Sequence, residues 1–326
     1  MLSVTYINRE HRKTNYSIEG IFDSVKAVLK DKIEIHNYYA DPTISRLKNI
    51  IKVKQKAGAI NHITGDVNFL ALGLGGKKNV ITIHDLGYYE NPVHSIVIKT
   101  IYRLFWLYLP LKFADRVTVV SDFTKQKLIS YFNYPEDRIR IIPNPVKSVF
   151  QRAEHNRGQK TGNILQIGSG DHKNVMNMIT ALKGSSYHVD IVGWPSKIEL
   201  EKLDEYKISY KLHHSLSDEQ IFERYKACDI LFFASFYEGF GMPIIEAQAV
   251  GRPVITSNIG AMKEVALDTA VLVDPHDPAE IRAAMDRLLQ DNELYDQKVE
   301  AGIKNAAKYD YKVIADQYLS VYKELA

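Results

Sequence analysis

The stretch Asp229–Glu246, DILFFASFYEGFGMPIIE, decides how the rest of the chain reads. It opens on an apolar run, Ile230 to Ala234, the pattern of a parallel strand covered on both faces. It passes through Glu238-Gly239-Phe240-Gly241 and enters a helix with Pro243 in its first turn, where a missing N–H has no intrahelical partner to lose. Glycines let a backbone come close to a ligand. A helix N-terminus presents unpaired N–H groups and a partial positive charge, which favour phosphate. Glu238 and Glu246 bracket this corner. Carboxylates repel phosphate but accept hydrogen bonds from hydroxyls. A phosphate with hydroxyl groups on either side satisfies the whole stretch, and a nucleotide-sugar is such a ligand. Glu246 leans back toward the loop, because helical side chains tilt toward the N-terminus.

Outward from this stretch the chain alternates strands and helices. In the first half, strands are predicted at 1–7, 32–36, 59–63, 79–83, 116–120 and 138–142. Apolar residues at helical spacing run from Ile18 to Leu29, a further helix is read at 46–56, and Ser121-Asp122 cap another. In the second half, strands fall at 163–167, 188–192, 209–212, 230–234, 253–256 and 270–273. Between the halves, Pro143-Asn144-Pro145 stiffens the chain, and the polar run 151–162 has linker composition. Strands separated by helices give an α/β chain with two Rossmann-like parallel-sheet domains, and 326 residues suit roughly two domains. Ligands of such sheets bind beyond the carboxyl ends of the strands. Those ends carry Gly168-Ser169-Gly170, Gly193, His213-His214, Ser235 and His84-Asp85. Two sheets facing each other would form a ligand cleft.

Composition excludes several classes. A formal net charge of +3 is too mild for a nucleic-acid partner. The single cysteine, Cys228, rules out an internal disulfide and a cysteine metal cage; it reads as a small buried residue in a reducing, cytoplasmic protein. The N-terminal residues lack a signal-peptide core. The segment 94–115 is strongly apolar, but Lys99, Arg103, Pro110 and Lys112 interrupt it, so it does not read as a membrane span. It is expected to be a buried helix, the alternative being peripheral contact with the inner face of a membrane through aromatic and basic side chains.

Lys173, at the end of the loop GSGDHKN, is placed to meet a diphosphate; the bland reading is a solvated lysine in an ordinary loop. His84-Asp85 would contact a reacting sugar or hydroxyl, or else be a histidine fixed in a turn by its neighbour. Adjacent His213 and His214 point in different directions, and no HExxH occurs, so no metal is expected. No DxD motif stands at a strand end, which leaves phosphate charge to lysine and helix termini.

Together these residues resemble the retaining glycosyltransferases of family 4, the group 1 glycosyl transferases, which have the GT-B fold. The resemblance rests on EGFGMPIIE, on AVGRPVITSNIGAMKEVA and VLVDPHDP after it, and on Ile83-His84-Asp85-Leu86, VSDFTKQKL, RIIPNPV and Lys173-Asn174 upstream. It implies a metal-independent hexosyltransferase without cofactor. That enzyme would carry a sugar from a GDP- or UDP-sugar to a hydroxyl of a glycan or lipid-linked acceptor in cell-surface polysaccharide synthesis. By the same resemblance Glu238 approaches the donor sugar, Lys173 neutralises the diphosphate, His84 lies near the transferred sugar and Glu246 binds ribose hydroxyls. Gly168, Ser169, Asn174, Gly193, His213, Gly239, Phe240 and Gly241 complete the donor side, with 212–216 holding the base largely through its backbone. Asn15, Tyr16, Asp85 and Tyr88 fall on the acceptor side. The domains become 1–150 and 151–309, with 310–326 crossing back onto the first. Two departures stand out. Ser169 replaces an arginine common in the family, and REHRKTNY at 9–16 replaces a glycine-rich loop. The rival functions are a nucleotide-sugar epimerase or hydrolase, and a non-catalytic nucleotide-binding subunit.

Overall fold

A computed structural model of the chain describes residues 1–10, 17–154 and 160–326. Asn15 and Tyr16 lie outside the described residues, as does part of the polar run at 151–162. The chain divides into two compact units, Met1–Pro145 with Tyr311–Ala326, and Val146–Asp310.

Unit 1 carries six parallel strands: β1 (Ser3–Asn8), β2 (Glu34–Tyr39), β3 (Ile60–Ile63), β4 (Lys78–Ile83), β5 (Arg116–Val119) and β6 (Ile139–Ile141), in the order β2-β1-β3-β4-β5-β6. β3 (INHI) is buried along its whole length, whereas β2 (EIHNYY) at the sheet edge is mostly exposed. The two polar residues of β3, Asn61 and His62, are hydrogen-bonded to Asn79 and Thr82. Val4 of β1 lies opposite Ile35 on one side and Ile60 on the other. The chain turns back between β1 and β3, and this reversal is the switch point where such sheets leave a crevice.

The C-terminal helix Tyr311–Leu325 is built into unit 1. Tyr322 donates or accepts at His62 Nδ1 (2.6 Å) and lies 3.1 Å from the Tyr6 hydroxyl, while His62 Nε2 is 2.7 Å from Thr82 Oγ1. Tyr318 packs on Phe22 of the helix Ser17–Leu29. His62 is fully buried, and burial pushes its pKa down to about 3, so the ring is neutral with one donor and one acceptor nitrogen.

The segment 94–115 differs from the buried helix expected of it. A helix Ile96–Tyr102 continues through a π-turn Arg103–Tyr108 into Leu109–Lys112. Leu107, Leu111 and Ala114 are buried, but Ile96, Val97, Ile101, Leu104 and Phe105 are exposed. The residues are apolar nearly all round, yet only one face has a partner in the unit. Pro110 has no N–H to return to the preceding turn, and the Leu109 amide reaches back to the Leu104 carbonyl, the wide spacing of a π-turn.

Unit 2 has β7 (Asn163–Ile167), β8 (His188–Val192), β9 (Ser209–His213), β10 (Ile230–Phe233), β11 (Val254–Ser257) and β12 (Val271–Val273). The order β12-β11-β10-β7-β8-β9 is that of a dinucleotide-binding sheet, reversing between β7 and β10. The apolar run that opened the reading is β10, with all four residues fully buried between two neighbouring strands. Cys228 is buried, as its place before β10 suggests.

Candidate active site

The loops that leave β7 and β10 meet where the order of the unit 2 sheet reverses. From the first comes Lys173, from the second Glu238, and Lys173 Nζ lies 2.6 Å from Glu238 Oε1. Both side chains are mostly buried, and the ammonium also sits 4.7 Å from the centroid of the Phe233 ring. Lys173 reaches this place because the loop is tightly folded. Gly168 adopts φ +90°, and a Cβ there would lie 2.8 Å from the lysine side chain. Gln166 Nε2 donates to the carbonyls of Gly168 and Lys173.

Asn174, expected on the donor side, also has a structural task. It is 2% exposed, takes the left-handed conformation (φ 60°) that asparagine tolerates, and donates to the carbonyls of Ala234 (2.8 Å) and Pro275 (2.7 Å). It pins the β7 loop to the β10 loop and so aims Lys173. His213 is held in a similar way, its Nε2 pairing with buried Asp190 Oδ1 at 2.5 Å. The amides of Gly168 and Gly193 donate to Val192 and His213 carbonyls, which leaves neither for a diphosphate. Phe240 is also buried, its ring edge-on to Tyr309.

Gly241 caps the helix Met242–Val250 at φ +106°, and a Cβ there would meet Ile244 at 2.9 Å. Pro243 occupies the first turn, as expected. Glu246 lies further along this helix, where its Oε2 accepts a hydrogen bond from Tyr225 Oη at 2.9 Å. Burial lifts its carboxyl pKa to about 7; the Tyr225 hydrogen bond and the Lys147 ammonium pull against that rise, and Asp218 adds to it. Lys147 itself is bound to both oxygens of Asp218 at 2.8 Å. Glu246 is therefore a half-buried carboxyl whose hydrogen-bond donor is the Tyr225 hydroxyl.

Ser169 stands where the family pattern has arginine. Its Oγ accepts the Trp194 N–H, which ties the β7 loop to the β8 loop. Arg252 does not supply the missing charge, because its guanidinium is buried and donates to backbone carbonyls of Gly251 and Lys226. Trp194, by contrast, is 71% exposed and stacks on His214 at 3.7 Å and 13°. The sequence reading missed it, and the only signal was a large aromatic directly after the strand-ending Gly193. Tyr225 and Lys147 carried no signal at all, since they lie 21 and 99 residues from Glu246.

In unit 1, His84 stands at the end of β4 and donates from Nε2 to the Thr64 carbonyl at 2.9 Å. Burial lowers its pKa, which favours the neutral ring, with Nδ1 as the acceptor nitrogen. It lines a cavity of about 600 Å³ at the switch point of the unit 1 sheet, with Arg9, Arg46, Asp85, Tyr88 and Trp106. Asp85 accepts the Gly87 N–H at 2.7 Å, and Tyr88 lies between the rings of His94 and Tyr102. Among the described residues no group of three or more His, Cys, Asp or Glu side chains is arranged to hold a metal ion.

A lysine–glutamate pair at the switch point of a parallel sheet with dinucleotide-type strand order defines an α/β protein of the doubly wound kind. Comparison with known proteins makes this specific. Residues 148–305 match the family described as glycosyl transferases group 1, and residues 33–148 match glycosyltransferase family 4. The chain is 28% identical over 282 residues to O-antigen chain mannosyltransferase B of Escherichia coli, covering 76% of this chain and 71% of that protein. It is 29% identical over 223 residues to O-antigen chain mannosyltransferase RfbU of Salmonella typhimurium, covering 66% and 62%. The fold is that of Anabaena Alr3699/HepE, solved with UDP and glucose (TM-score 0.82, 14% identity, 99% of this chain and all of that one). It is also that of sucrose-phosphate synthase from Thermosynechococcus elongatus (TM-score 0.78, 18% identity, 100% and 99%). The chain belongs to the group 1, family 4 glycosyltransferases, with the GT-B fold.

Proposed function

We propose that this transferase retains anomeric configuration and moves a sugar, mannose in the first instance, from a nucleoside-diphosphate donor to a hydroxyl of a glycan or lipid-linked acceptor in cell-surface polysaccharide synthesis. The Lys173–Glu238 pair at the β7/β10 switch point carries this reading. The names of the two mannosyltransferase relatives support the sugar and the pathway class. When a donor binds, Lys173 turns from Glu238 to the diphosphate, and Glu238 accepts hydrogen bonds from sugar hydroxyls. The bond from the sugar carbon to the diphosphate then breaks, the electron pair leaves with the phosphate oxygen, and the acceptor oxygen bonds to that carbon on the same face while its proton passes to the departing diphosphate oxygen. Lys173 and the helix N-terminus at Gly241 stabilise the departing charge. Glu246 takes the ribose hydroxyls. Trp194, with the backbone of 212–216, offers the base a stacking surface. His84, Asp85 and Tyr88 serve the acceptor, and no metal enters. The segment 94–115 makes peripheral contact with a membrane; among the described residues no helix is long and apolar enough to cross one.

The test is release of nucleoside diphosphate from GDP-mannose and UDP-glucose, with and without a lipid-linked saccharide acceptor. Product anomers are read by NMR. Lys173→Ala and Glu238→Ala are each expected to lower transfer about 100- to 1000-fold with the fold intact. Near-normal rates in both variants would sink the site assignment. Donor consumption without acceptor would mark a hydrolase or epimerase, and binding without consumption a non-catalytic subunit.

A further inference from the structure

We propose that unit 1 docks on an anionic lipid bilayer through two elements, the helix Arg46–Lys56 together with 93–113, and that the cavity beside His84 opens at this face so that an amphiphilic acceptor enters it from the membrane. This rests on the acceptor reading above and adds the second element, the lipid charge and the route of entry.

The helix Arg46–Lys56, RLKNIIKVKQK, has a face that nothing in the unit covers. Ser45 caps it, and Asn49 and Val53 turn inward. Leu47 and Ile51, one turn apart, are 67% and 54% exposed. Around them stand Lys48, Lys54 and Lys56, none within ion-pair distance of a carboxylate among the described residues; Lys52 lies 3.5 Å from Asp41. The second element presents Val93, Ile96, Val97, Ile101 and Phe105 to solvent, and Lys99, Arg103 and Lys112 lie among them. Exposed aliphatic and aromatic side chains interleaved with lysine and arginine are the pattern of an interfacial surface.

The two elements meet. The Arg46 guanidinium sits 4.5 Å from the centroid of the Trp106 ring, and both residues line the cavity. Ile98 and Ile101 line it too and are themselves exposed, so the cavity wall runs without a break into the outer apolar surface. Polar side chains, His84, Asp85 and Arg9, line the same cavity. A ligand with a polar head and an apolar tail matches that mixed lining.

Charge selects the partner. Residues 46–56 and 91–114 hold eight lysines and arginines and no aspartate or glutamate. The whole chain is only +3, so the remainder carries an excess of negative charge. An anionic bilayer attracts this face and repels the rest, which fixes orientation as well as affinity.

The experiment is flotation with vesicles of phosphatidylcholine alone and of phosphatidylcholine mixed with phosphatidylglycerol. The full chain is expected to float with the mixed vesicles and to be released by high salt. A Lys48→Glu/Lys54→Glu/Lys56→Glu variant is expected to lose binding roughly a hundredfold, at about fivefold per cation. It should keep its melting temperature, its nucleotide-induced thermal shift and its transfer to a detergent-solubilised acceptor, while transfer to the same acceptor in vesicles falls in step with binding. Wild-type protein that stays off the mixed vesicles overturns the proposal, as does a triple variant that floats unchanged. A dimer in sedimentation that dissociates with Leu47→Ser/Ile51→Ser would also overturn it, by assigning the face to a second copy. Absence of any nucleotide-induced thermal shift is a separate failure, that of the transferase reading.

Discussion

Replacing Glu246 by glutamine should stabilise the protein at alkaline pH and, if the proposed donor site is right, weaken its hold on a nucleotide. The carboxyl pKa rises from 4.5 to about 7 because the group is buried with one tyrosine hydroxyl as its hydrogen-bond donor. An acid whose pKa is raised on folding binds its proton more tightly when folded. Its stabilising contribution is therefore present below pH 4.5 and is lost as pH rises through 7. At 1.36 kcal/mol per pH unit the full loss is about 3 kcal/mol, and partial exposure of the residue screens it to about 1–2 kcal/mol. Glutamine keeps the acceptor for Tyr225 and carries no charge. In a unit of this size each kcal/mol moves the melting temperature by about 2–4 °C. Glu246→Gln is thus expected to melt about 2–8 °C higher than wild type at pH 8 and at the same temperature at about pH 4, measured on the unit 2 transition. Addition of donor nucleotide should reverse the ranking, because ribose hydroxyls satisfy the carboxylate and only wild type gains fully. A glutamine variant that is less stable at pH 8, or a difference that does not change with pH, would refute the argument that this carboxylate waits unsatisfied.

Trp194→Ala removes the exposed indole that stacks on His214. Base–aromatic stacking is worth about 1–3 kcal/mol, so nucleoside diphosphate should bind about fivefold to a hundredfold more weakly by calorimetry, with little change in melting temperature. Tyr322→Phe deletes the hydroxyl between His62 and Tyr6. Leaving buried His62 Nδ1 unpaired is expected to destabilise unit 1 by about 1–3 kcal/mol in urea unfolding. Because the His62 pKa is depressed from 6.5 to about 3, unit 1 should lose stability as pH falls below 6.5, by about 2 kcal/mol at pH 5, the opposite sense to Glu246 in unit 2. Equal acid sensitivity in a His62→Gln variant would contradict that assignment.

Most of the strands were legible because parallel β-strands are short apolar runs bounded by turn residues, and each predicted strand overlaps an observed one. The Glu238, Gly241, Pro243 and Glu246 pattern was legible because a loop-to-helix turn with a proline in its first turn is a local event. The segment 94–115 misled for a related reason. An apolar helix looks the same in sequence whether or not both its faces find partners, and here only the side bearing Leu107 and Leu111 does.

The residue types and their spacing by themselves determined two α/β halves, a glycine-containing loop-to-helix turn flanked by carboxylates, and the absence of an internal disulfide, because each depends on composition, periodicity or near neighbours. Only the tertiary structure decided which strands are adjacent, and so that Lys173 and Glu238, 65 residues apart, stand 2.6 Å from each other at a switch point. It decided that Asn174 and His213 hold the loops while Trp194 lies open. It placed a helix from the far end of the chain over His62, and it brought Arg46 against Trp106 at the mouth of a cavity. Such pairings follow from chain reversals and side-chain burial over long separations, and no local pattern encodes them.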